Sequence, residues 1–150
     1  MSKVVLITGA SSGFGRSIAE KLSNHDFIVY GTSRNPKEIE GKYKLLKLDI
    51  TEYQDAERIT DYLIDKHGKI DILINNAGVY GPKGFIEKIN WDDWVKTIKI
   101  NLFGSVLLCR SVMPYFKKKN KGKIIQLSGG GAASPIPRIS GYAVSKVGIV

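Results

Sequence analysis

Short apolar runs alternate with longer amphipathic segments along this chain. The apolar runs predict five strands, at Val4–Ile7, Phe27–Tyr30, Leu45–Leu48, Ile70–Ile74 and Lys123–Leu127. They are β-branched or leucine-rich and are bounded by Gly, Asp or Asn, which is typical of strands. Because their apolarity is nearly continuous, we expect them to be buried on both faces of a parallel sheet. The alternation predicts an α/β fold, with a doubly wound parallel sheet and helices on both faces.

The helical patterns between the strands carry start and stop signals. Thr51–Gln54 fits a capping box and predicts the start of a helix that ends near Gly68. Asn90 is the predicted N-cap of a long helix that runs to about Phe116. Two apolar stripes follow this long helix, one through Val95, Ile98, Leu102 and Val106 and the other through Ile100, Phe103 and Leu107. Two stripes need two partners, and we expect these to be the sheet and another subunit.

A last helical pattern begins after Gly141, and Val150 follows nine residues later. Domains rarely end in the first turns of a helix, which is marginally stable when short. We therefore expect residues 1–150 to be the cofactor-binding, N-terminal part of a longer single domain, with the C-terminal part of the fold missing.

Composition is that of a globular protein. The chain has 150 residues, of which 43% are hydrophobic and 25% charged. Apolar runs such as residues 106–109 are too short to cross a bilayer, and the N-terminus does not have the pattern of a secretory signal. Cys109 is the sole cysteine, so no internal disulfide forms. We expect a cytoplasmic protein with no membrane association and no metal site.

The formal net charge is +9, and part of this excess is local. Five lysines fall within seven residues: Lys117, Lys118, Lys119, Lys121 and Lys123. We interpret them as a solvated helix end, where cations complement the helix dipole. No aromatic side chains alternate with these lysines, which disfavours a nucleic-acid groove. The remaining positive charge suits an anionic cofactor.

A glycine-rich segment follows the first predicted strand and opens the first helix. Its residues are Thr8, Gly9, Ala10, Ser11, Ser12, Gly13, Phe14 and Gly15. Glycines allow a sharp turn and a close approach to a pyrophosphate, and the helix N-terminus supplies N–H donors. The position of this segment predicts a nucleotide site.

The spacing TGxxxGxG resembles that of the short-chain dehydrogenase/reductase family, in its short single-domain branch. Four further family motifs follow in order, namely Asp49 with Ile50 after the third strand, Asn75-Asn76-Ala77-Gly78, Ile100-Asn101-Leu102-Phe103-Gly104 and Tyr142-Ala143-Val144-Ser145-Lys146. The resemblance implies a Rossmann-type fold and hydride transfer between a nicotinamide cofactor and a carbonyl or alcohol. It also implies that Asp49 contacts the adenine and that Ile50, Asn76, Ala77 and Gly78 contact the cofactor.

The end of the second strand indicates which dinucleotide binds. An acidic residue there would accept a hydrogen bond from the ribose 2′-OH, but Ser33 occupies that position and Arg34 follows. A guanidinium can bind a phosphate with two charge-assisted hydrogen bonds. Ser33 and Arg34 therefore predict NADP(H).

Tyr142 and Lys146 are four residues apart and share a face on a helix. A nearby ammonium favours the phenolate, so we expect Lys146 to lower the pKa of Tyr142. The resemblance implies that Tyr142 exchanges a proton with the substrate oxygen and that Lys146 also binds the nicotinamide ribose. It further implies that Asn101 holds a water molecule in a proton relay.

The catalytic serine is less clearly placed. The family places it thirteen residues before the tyrosine, and Gly129 stands there. Ser128 lies one residue earlier and is followed by three glycines, which make a pliable loop. We predict that Ser128 takes this role, with Ser134 and Ser140 as alternatives.

Three functions remain open from the sequence. The first is an enzyme that uses Tyr142, Lys146, Asn101 and Ser128, and it is expected to be a homodimer or homotetramer when complete. The second is an inactive NADP-binding sensor or scaffold, which Gly129 keeps open. The third is a nucleic-acid binder, which only the net charge supports. The sequence motifs indicate no substrate class beyond a small carbonyl or alcohol.

Overall fold

A computed structural model describes residues 2–37, 41 and 43–150. Five parallel strands form one sheet in the order β3-β2-β1-β4-β5. Their bounds are Lys3–Ile7 (β1), Phe27–Ser33 (β2), Lys44–Lys47 (β3), Ile72–Asn75 (β4) and Lys123–Gln126 (β5). All five predicted strands are confirmed, with small shifts at their ends.

Six α-helices are found in the described chain. They are Gly13–Ser23 (α1), Tyr53–His67 (α2), Trp91–Ile98 (α3), Gly104–Lys119 (α4), Gly130–Ala133 (α5) and Ser140–Val147 (α6). A π-helical turn, Lys99–Phe103, joins α3 directly to α4. The predicted long helix is therefore continuous in space but changes its hydrogen-bond pattern at this turn.

The sheet has a hydrophobic cluster on each face, because side chains alternate along each strand. In β1, Val4 and Leu6 enter a cluster that includes residues of α2 and α4. Val5 and Ile7 enter the opposite cluster, which includes Ala19 of α1. All four side chains are fully buried. This arrangement confirms the predicted doubly wound parallel sheet with helices on both faces.

The helix signals met different outcomes. Asn90 caps α3 as predicted, since its side-chain oxygen accepts from the Asp93 N–H at 2.9 Å. Gly68 ends α2 in the left-handed conformation, with φ +65°. The predicted capping box at Thr51 is wrong, because α2 begins at Tyr53 and Thr51 donates its hydroxyl to Asp49 instead. Thr51 is thus held by the strand end that precedes it.

The predicted stripes on the long helix are only partly correct. Beyond the π-helical turn, Leu108, Val112 and Phe116 pack against the sheet. Ile100 and Leu107 are partly buried against the same cluster, whereas Phe103 and Val106 are each 53% exposed. A π turn holds one extra residue, which rotates the following face by about 100° and so shifts the stripe. No helix in residues 2–37, 41 and 43–150 is long and apolar enough to cross a membrane.

Candidate active site

The main candidate site lies at the carboxyl ends of the strands. The strand order reverses between β1 and β4, and such switch points leave a crevice at this edge of a parallel sheet. A cavity of about 530 Å³ occupies the crevice. It is lined by residues 11–14, 32–34, 48–51 and 76–79, together with Gly9, Lys96, Lys99 and Ile100.

The glycine segment forms one wall of this cavity. Gly9 and Gly13 adopt φ +65° and +55°, a region that favours glycine. A side chain at Gly15 would clash with the Gly9 carbonyl oxygen and with the Asn76 amide. Gly9 and Gly13 therefore leave the backbone of the loop open toward the cavity, and Gly15 lets the start of α1 pack closely against Gly9 and Asn76. This open cradle fits a pyrophosphate group.

Thr8 and Asn76 hold the glycine segment against the end of β4. The Thr8 hydroxyl oxygen accepts from the Asn76 and Ala77 N–H groups, each at 3.0 Å. The Asn76 side chain donates to the carbonyls of Thr8 and Gly9, at 2.9 and 3.1 Å. Thr8 is fully buried. Thr8 therefore holds the loop in place without lining the cavity. Asn76, Ala77 and Gly78 do line it.

The end of β2 brings positive charge to the same cavity. Ser33 and Arg34 both line it, as does the exposed phenyl ring of Phe14. Lys96 and Lys99, which the sequence reasoning missed, line it from α3 and the π-helical turn. Their spacing with Ile100 places the three residues on one helix face, which is the signal that could have found them.

Arg34 and Lys96 also line a smaller hollow beside this cavity. Asp93 lies in that hollow as well, but the described residues show no ion pair between it and either cation. The two cations therefore face a shared space.

Asp49 and Ile50 line the cavity after β3. One Asp49 carboxylate oxygen accepts from the Thr51 N–H at 3.0 Å and from the Thr51 hydroxyl at 2.8 Å. The Asp49 N–H donates to the Asp55 carboxylate at 2.8 Å. This bond, with help from Arg58, lowers the pKa of Asp55. These bonds fix the segment after β3 and direct the Asp49 carboxylate to Thr51 of the same loop.

Helix α6 carries Tyr142 and Lys146. Lys146 is only 5% exposed, and its ammonium donates to the Leu127 carbonyl at 2.8 Å. Its Nζ lies 5.6 Å from the centre of the Tyr142 ring. Burial lowers the pKa of Lys146.

The pKa of Tyr142 moves opposite to the expectation. Burial raises it, and the neighbouring Tyr80 acts in the same direction. The expected lowering by Lys146 is thus not found, because the ammonium is directed to Leu127 and burial dominates at the phenol. The centres of the Tyr80 and Tyr142 rings are 4.8 Å apart.

Asn101 lies in the π-helical turn and is 1% exposed. Its side-chain oxygen accepts from the Val79 N–H at 2.8 Å, and its amide donates to the Val79 carbonyl and the Ser145 hydroxyl, each at 2.9 Å. Asn101 therefore ties α6 to the loop after β4. Gly78 belongs to the same junction, since a side chain there would begin 3.3 Å from Asn101 Oδ1 and 3.6 Å from Lys146 Nζ.

In the described residues, none of the three candidate serines bonds the Tyr142 hydroxyl. The Ser128 hydroxyl donates to the Lys146 carbonyl at 3.5 Å, which is a long contact. Ser140 accepts from the Trp94 indole at 3.0 Å, and Ser134 is exposed. Gly129 is the residue that faces the Tyr142 hydroxyl. The role predicted for Ser128 remains a prediction.

The sequence profile of the family described as short chain dehydrogenase matches residues 3–150. A 3-ketodihydrosphingosine reductase of Bacteroides thetaiotaomicron is 40% identical over 98% of this chain and 54% of its own length. A 3-oxoacyl-[acyl-carrier-protein] reductase of Buchnera aphidicola is 35% identical over 99% of this chain and 63% of its own length. The chain thus spans between half and two thirds of the length of these relatives.

Solved structures give the same result. Aldohexose dehydrogenase of Thermoplasma acidophilum, in ligand-free form, has a TM-score of 0.92 and 31% identity over 99% of this chain and 57% of that one. The structure of ElxO with NADP bound has a TM-score of 0.93 and 26% identity over 99% of this chain and 64% of that one. The fold, the crevice and the profile match agree, and the chain belongs to the short-chain dehydrogenase family of oxidoreductases.

Proposed function

We propose that this protein transfers hydride between NADP(H) and a carbonyl or alcohol, with Tyr142 as the general acid and base. The observation that carries the proposal is the junction at Gly78. Gly78 lines the dinucleotide cavity and also adjoins Lys146 and Asn101. A cofactor held by the glycine segment would therefore extend to the helix that bears Tyr142.

The residues around the cavity fit a dinucleotide. Ser11, Ser12, Gly13 and Phe14 would hold the pyrophosphate at the start of α1. Asp49 and Ile50 would border the adenine, and residues 76–78 would border the ribose and nicotinamide. When bound, the nicotinamide supplies or accepts the hydride, and the protein's own residues position it and handle the proton.

Charge favours NADP(H) over NAD(H). Ser33 stands where a carboxylate would repel a 2′-phosphate, and Arg34, Lys96 and Lys99 place three cations around the same cavity. Hydrogen bonds from ionised donors to phosphate are strong and directional. The NADP-bound structure of the similar ElxO chain is consistent with this preference.

In the reducing direction, the carbonyl carbon receives the hydride and the Tyr142 hydroxyl donates its proton to the carbonyl oxygen. The raised pKa keeps Tyr142 protonated, which suits a general acid. Lys146 can turn from Leu127 toward the cofactor ribose and the phenol, because its ammonium has four rotatable bonds behind it. Ser128 would hydrogen-bond the substrate oxygen after a local movement of the glycine loop.

A second function is an NADP-binding module without catalysis. The observation that favours it is the pair Gly129 and Ser128, since no serine hydroxyl in the described residues bonds the phenol of Tyr142. Such a protein would bind NADPH and reduce nothing. The intact Tyr142, Lys146 and Asn101 favour the enzyme.

We also propose that the complete protein is a homodimer or homotetramer. Phe103 and Val106 expose apolar side chains on one side of the α3–α4 unit, as do Val144 and Val147 on α6. Exposed apolar surface of this kind is typical of subunit contacts. Sedimentation of the complete protein would test this, and a monomer at micromolar concentration would contradict it.

The test of the proposed function is NADPH oxidation by the natural protein that carries this chain, across a panel of carbonyl compounds. The relatives suggest 3-keto and 3-oxoacyl compounds for this panel, and aldohexoses for the reverse assay, in which the sugar is oxidised and NADP+ is reduced. Turnover of any of them supports the enzyme, whereas NADPH binding without turnover supports the inactive module. Ser128→Ala should then lower kcat, and a neutral result would assign the role to Ser134, Ser140 or water.

A further inference from the structure

A second hollow, of about 440 Å³, lies on the Tyr80 side of Tyr142. It shares no lining residue with the dinucleotide cavity. Ile136 and Ile139 give it an apolar floor, and Tyr80 joins it to the catalytic tyrosine through ring contact at 4.8 Å. A substrate whose carbonyl reaches Tyr142 can therefore extend into this hollow.

Two cations line the hollow. They are Lys83, whose Nζ lies 5.2 Å from the centre of the Tyr80 ring, and Arg138, whose guanidinium lies 4.9 Å from the centre of the Phe85 ring. Neither forms an ion pair with any carboxylate in the described residues. No acidic residue lines the hollow. Its positive charge is thus not neutralised from within the described protein.

The two cations sit on segments that are joined to each other. The Arg138 carbonyl accepts from the Gly84 N–H at 2.9 Å, which links the segment before α6 to the loop after β4. Arg138 also adopts φ +64°, a left-handed conformation that is uncommon for a residue with a side chain. Strained backbone of this kind is concentrated at functional sites. The local structure therefore holds Lys83 and Arg138 around one space before any substrate arrives.

We propose that this hollow binds an anionic group, a carboxylate or a phosphate ester, on the carbonyl substrate. The inference rests on the proposed function, because it names the substrate class of the same site. Aromatic rings beneath the cations position them without neutralising their charge. An anion there would direct the substrate so that its carbonyl lies at Tyr142, while a cationic group would be repelled.

The experiment uses matched substrates that differ in one charge. A 3-oxo acid is compared with its methyl ester, and a 3-oxoacyl-4′-phosphopantetheine with the corresponding 3-oxoacyl-pantetheine. Initial rates of NADPH oxidation by the natural protein give kcat/KM for each. We expect the anionic member of at least one pair to be preferred by about tenfold, since two partly exposed charged contacts contribute. The pair that shows the preference identifies carboxylate or phosphate.

Charge removal then tests the assignment to these residues. Lys83→Gln and Arg138→Gln should each lower the anionic-to-neutral ratio of kcat/KM by about threefold to fivefold, mainly through KM. Arg138→Lys should restore part of the ratio, because it returns the charge. Lys88→Gln is the matched control, since Lys88 lies on the same loop near Phe85 but does not line the hollow.

Three results would overturn the inference. They are equal kcat/KM within both substrate pairs, preference for the neutral members, or the same fall in ratio for Lys88→Gln as for Lys83→Gln. Reduction of neutral carbonyls without any effect of charge would leave the proposed oxidoreductase standing and remove only this inference. If the protein reduced none of the compounds, the result would instead remove the proposed function and this inference with it.

Discussion

The hydroxyl of Tyr142 occupies the space in which a side chain at Gly129 would begin. A Cβ built on Gly129 would clash with this hydroxyl and would lie 2.9 Å from Cζ of the same ring. The absence of a side chain at position 129 therefore lets α6 bring Tyr142 against the loop that follows β5. In this chain the glycine and the tyrosine position depend on each other.

Gly129→Ala should therefore reduce catalysis without reducing cofactor binding. The added methyl group displaces the Tyr142 ring or the loop, and a misplacement near 1 Å is expected to lower kcat by about 100-fold. Steady-state kinetics and NADPH titration would measure the two effects. Gly130→Ala is the control, because a side chain there meets only the terminal methyl of Ile136. Equal kcat in Gly129→Ala and the unmutated protein would disprove this relationship.

Tyr142→Phe should abolish turnover and keep NADPH affinity. Loss of the proposed proton donor should lower kcat by about 10²–10⁴-fold, the usual range for a general acid. Tyr115→Phe provides a matched control, since it removes a hydroxyl of α4 that bonds Asp61 of α2, and neither residue lines the two cavities. Turnover within tenfold of the unmutated rate would exclude Tyr142 as the acid.

Arg34→Ala should remove most of the preference for NADPH over NADH. The loss corresponds to about 1.5–3 kcal/mol, the range for a hydrogen bond to a charged group. Calorimetric titration with both cofactors would separate a 2′-phosphate effect from a general one. Arg16→Ala is the control, because the Arg16 guanidinium already pairs with Glu20 at 2.7 Å. Equal affinity of the unmutated protein for both cofactors would contradict the assignment.

The sheet could be predicted from the sequence because the signals that mark its strands are local. Each strand is an apolar run bounded by residues that end strands, and the glycine segment has a spacing that can be read directly. The Asn90 cap and the Gly68 helix end are also local, and both were confirmed. The fold and the cavity wall formed by the glycine segment could therefore be predicted from such signals.

The features that were missed depend on tertiary contacts. The π-helical turn at Lys99–Phe103 has no recognisable spacing in the sequence. It rotates the helix that follows, so the buried face differs from the predicted apolar stripes. The raised pKa of Tyr142 follows from burial, which pair spacing does not reveal. The engagement of Asn101 with Val79 likewise joins residues that are far apart in the chain. These properties exist only once α6 has packed.

Lys146 should make stability rise with pH. Its pKa is lowered by burial from a value near 10.5 in the unfolded chain, so the folded state binds fewer protons at pH values between the two. The free energy of unfolding therefore increases with pH through that window. The cost of burying the charged ammonium is fully present below the folded pKa. Urea unfolding measured as the pH is raised toward 10.5 would show the increase. The rise should be smaller in Lys146→Met, and identical slopes would contradict the burial effect.

Asn101 should contribute stability as well as position. Asn101→Ala would leave the Val79 N–H and carbonyl without their partner inside the protein, together with one contact of Ser145. Three hydrogen bonds are lost, and each contributes about 0.5–1.5 kcal/mol net, so we expect a loss of about 2–4 kcal/mol in the free energy of unfolding. Urea unfolding measures this loss.

Two further measurements separate position from general destabilisation at Asn101. Native-state hydrogen exchange should show that the Val79 amide loses protection, because its acceptor is the Asn101 side chain. Ser145→Ala is the matched control, since it removes the partner on α6 but leaves both bonds to Val79 in place. It should cost about 1 kcal/mol and keep the Val79 amide protected. An Asn101→Ala protein with full stability and a protected Val79 amide would show that the junction between α6 and the loop after β4 is held by other contacts.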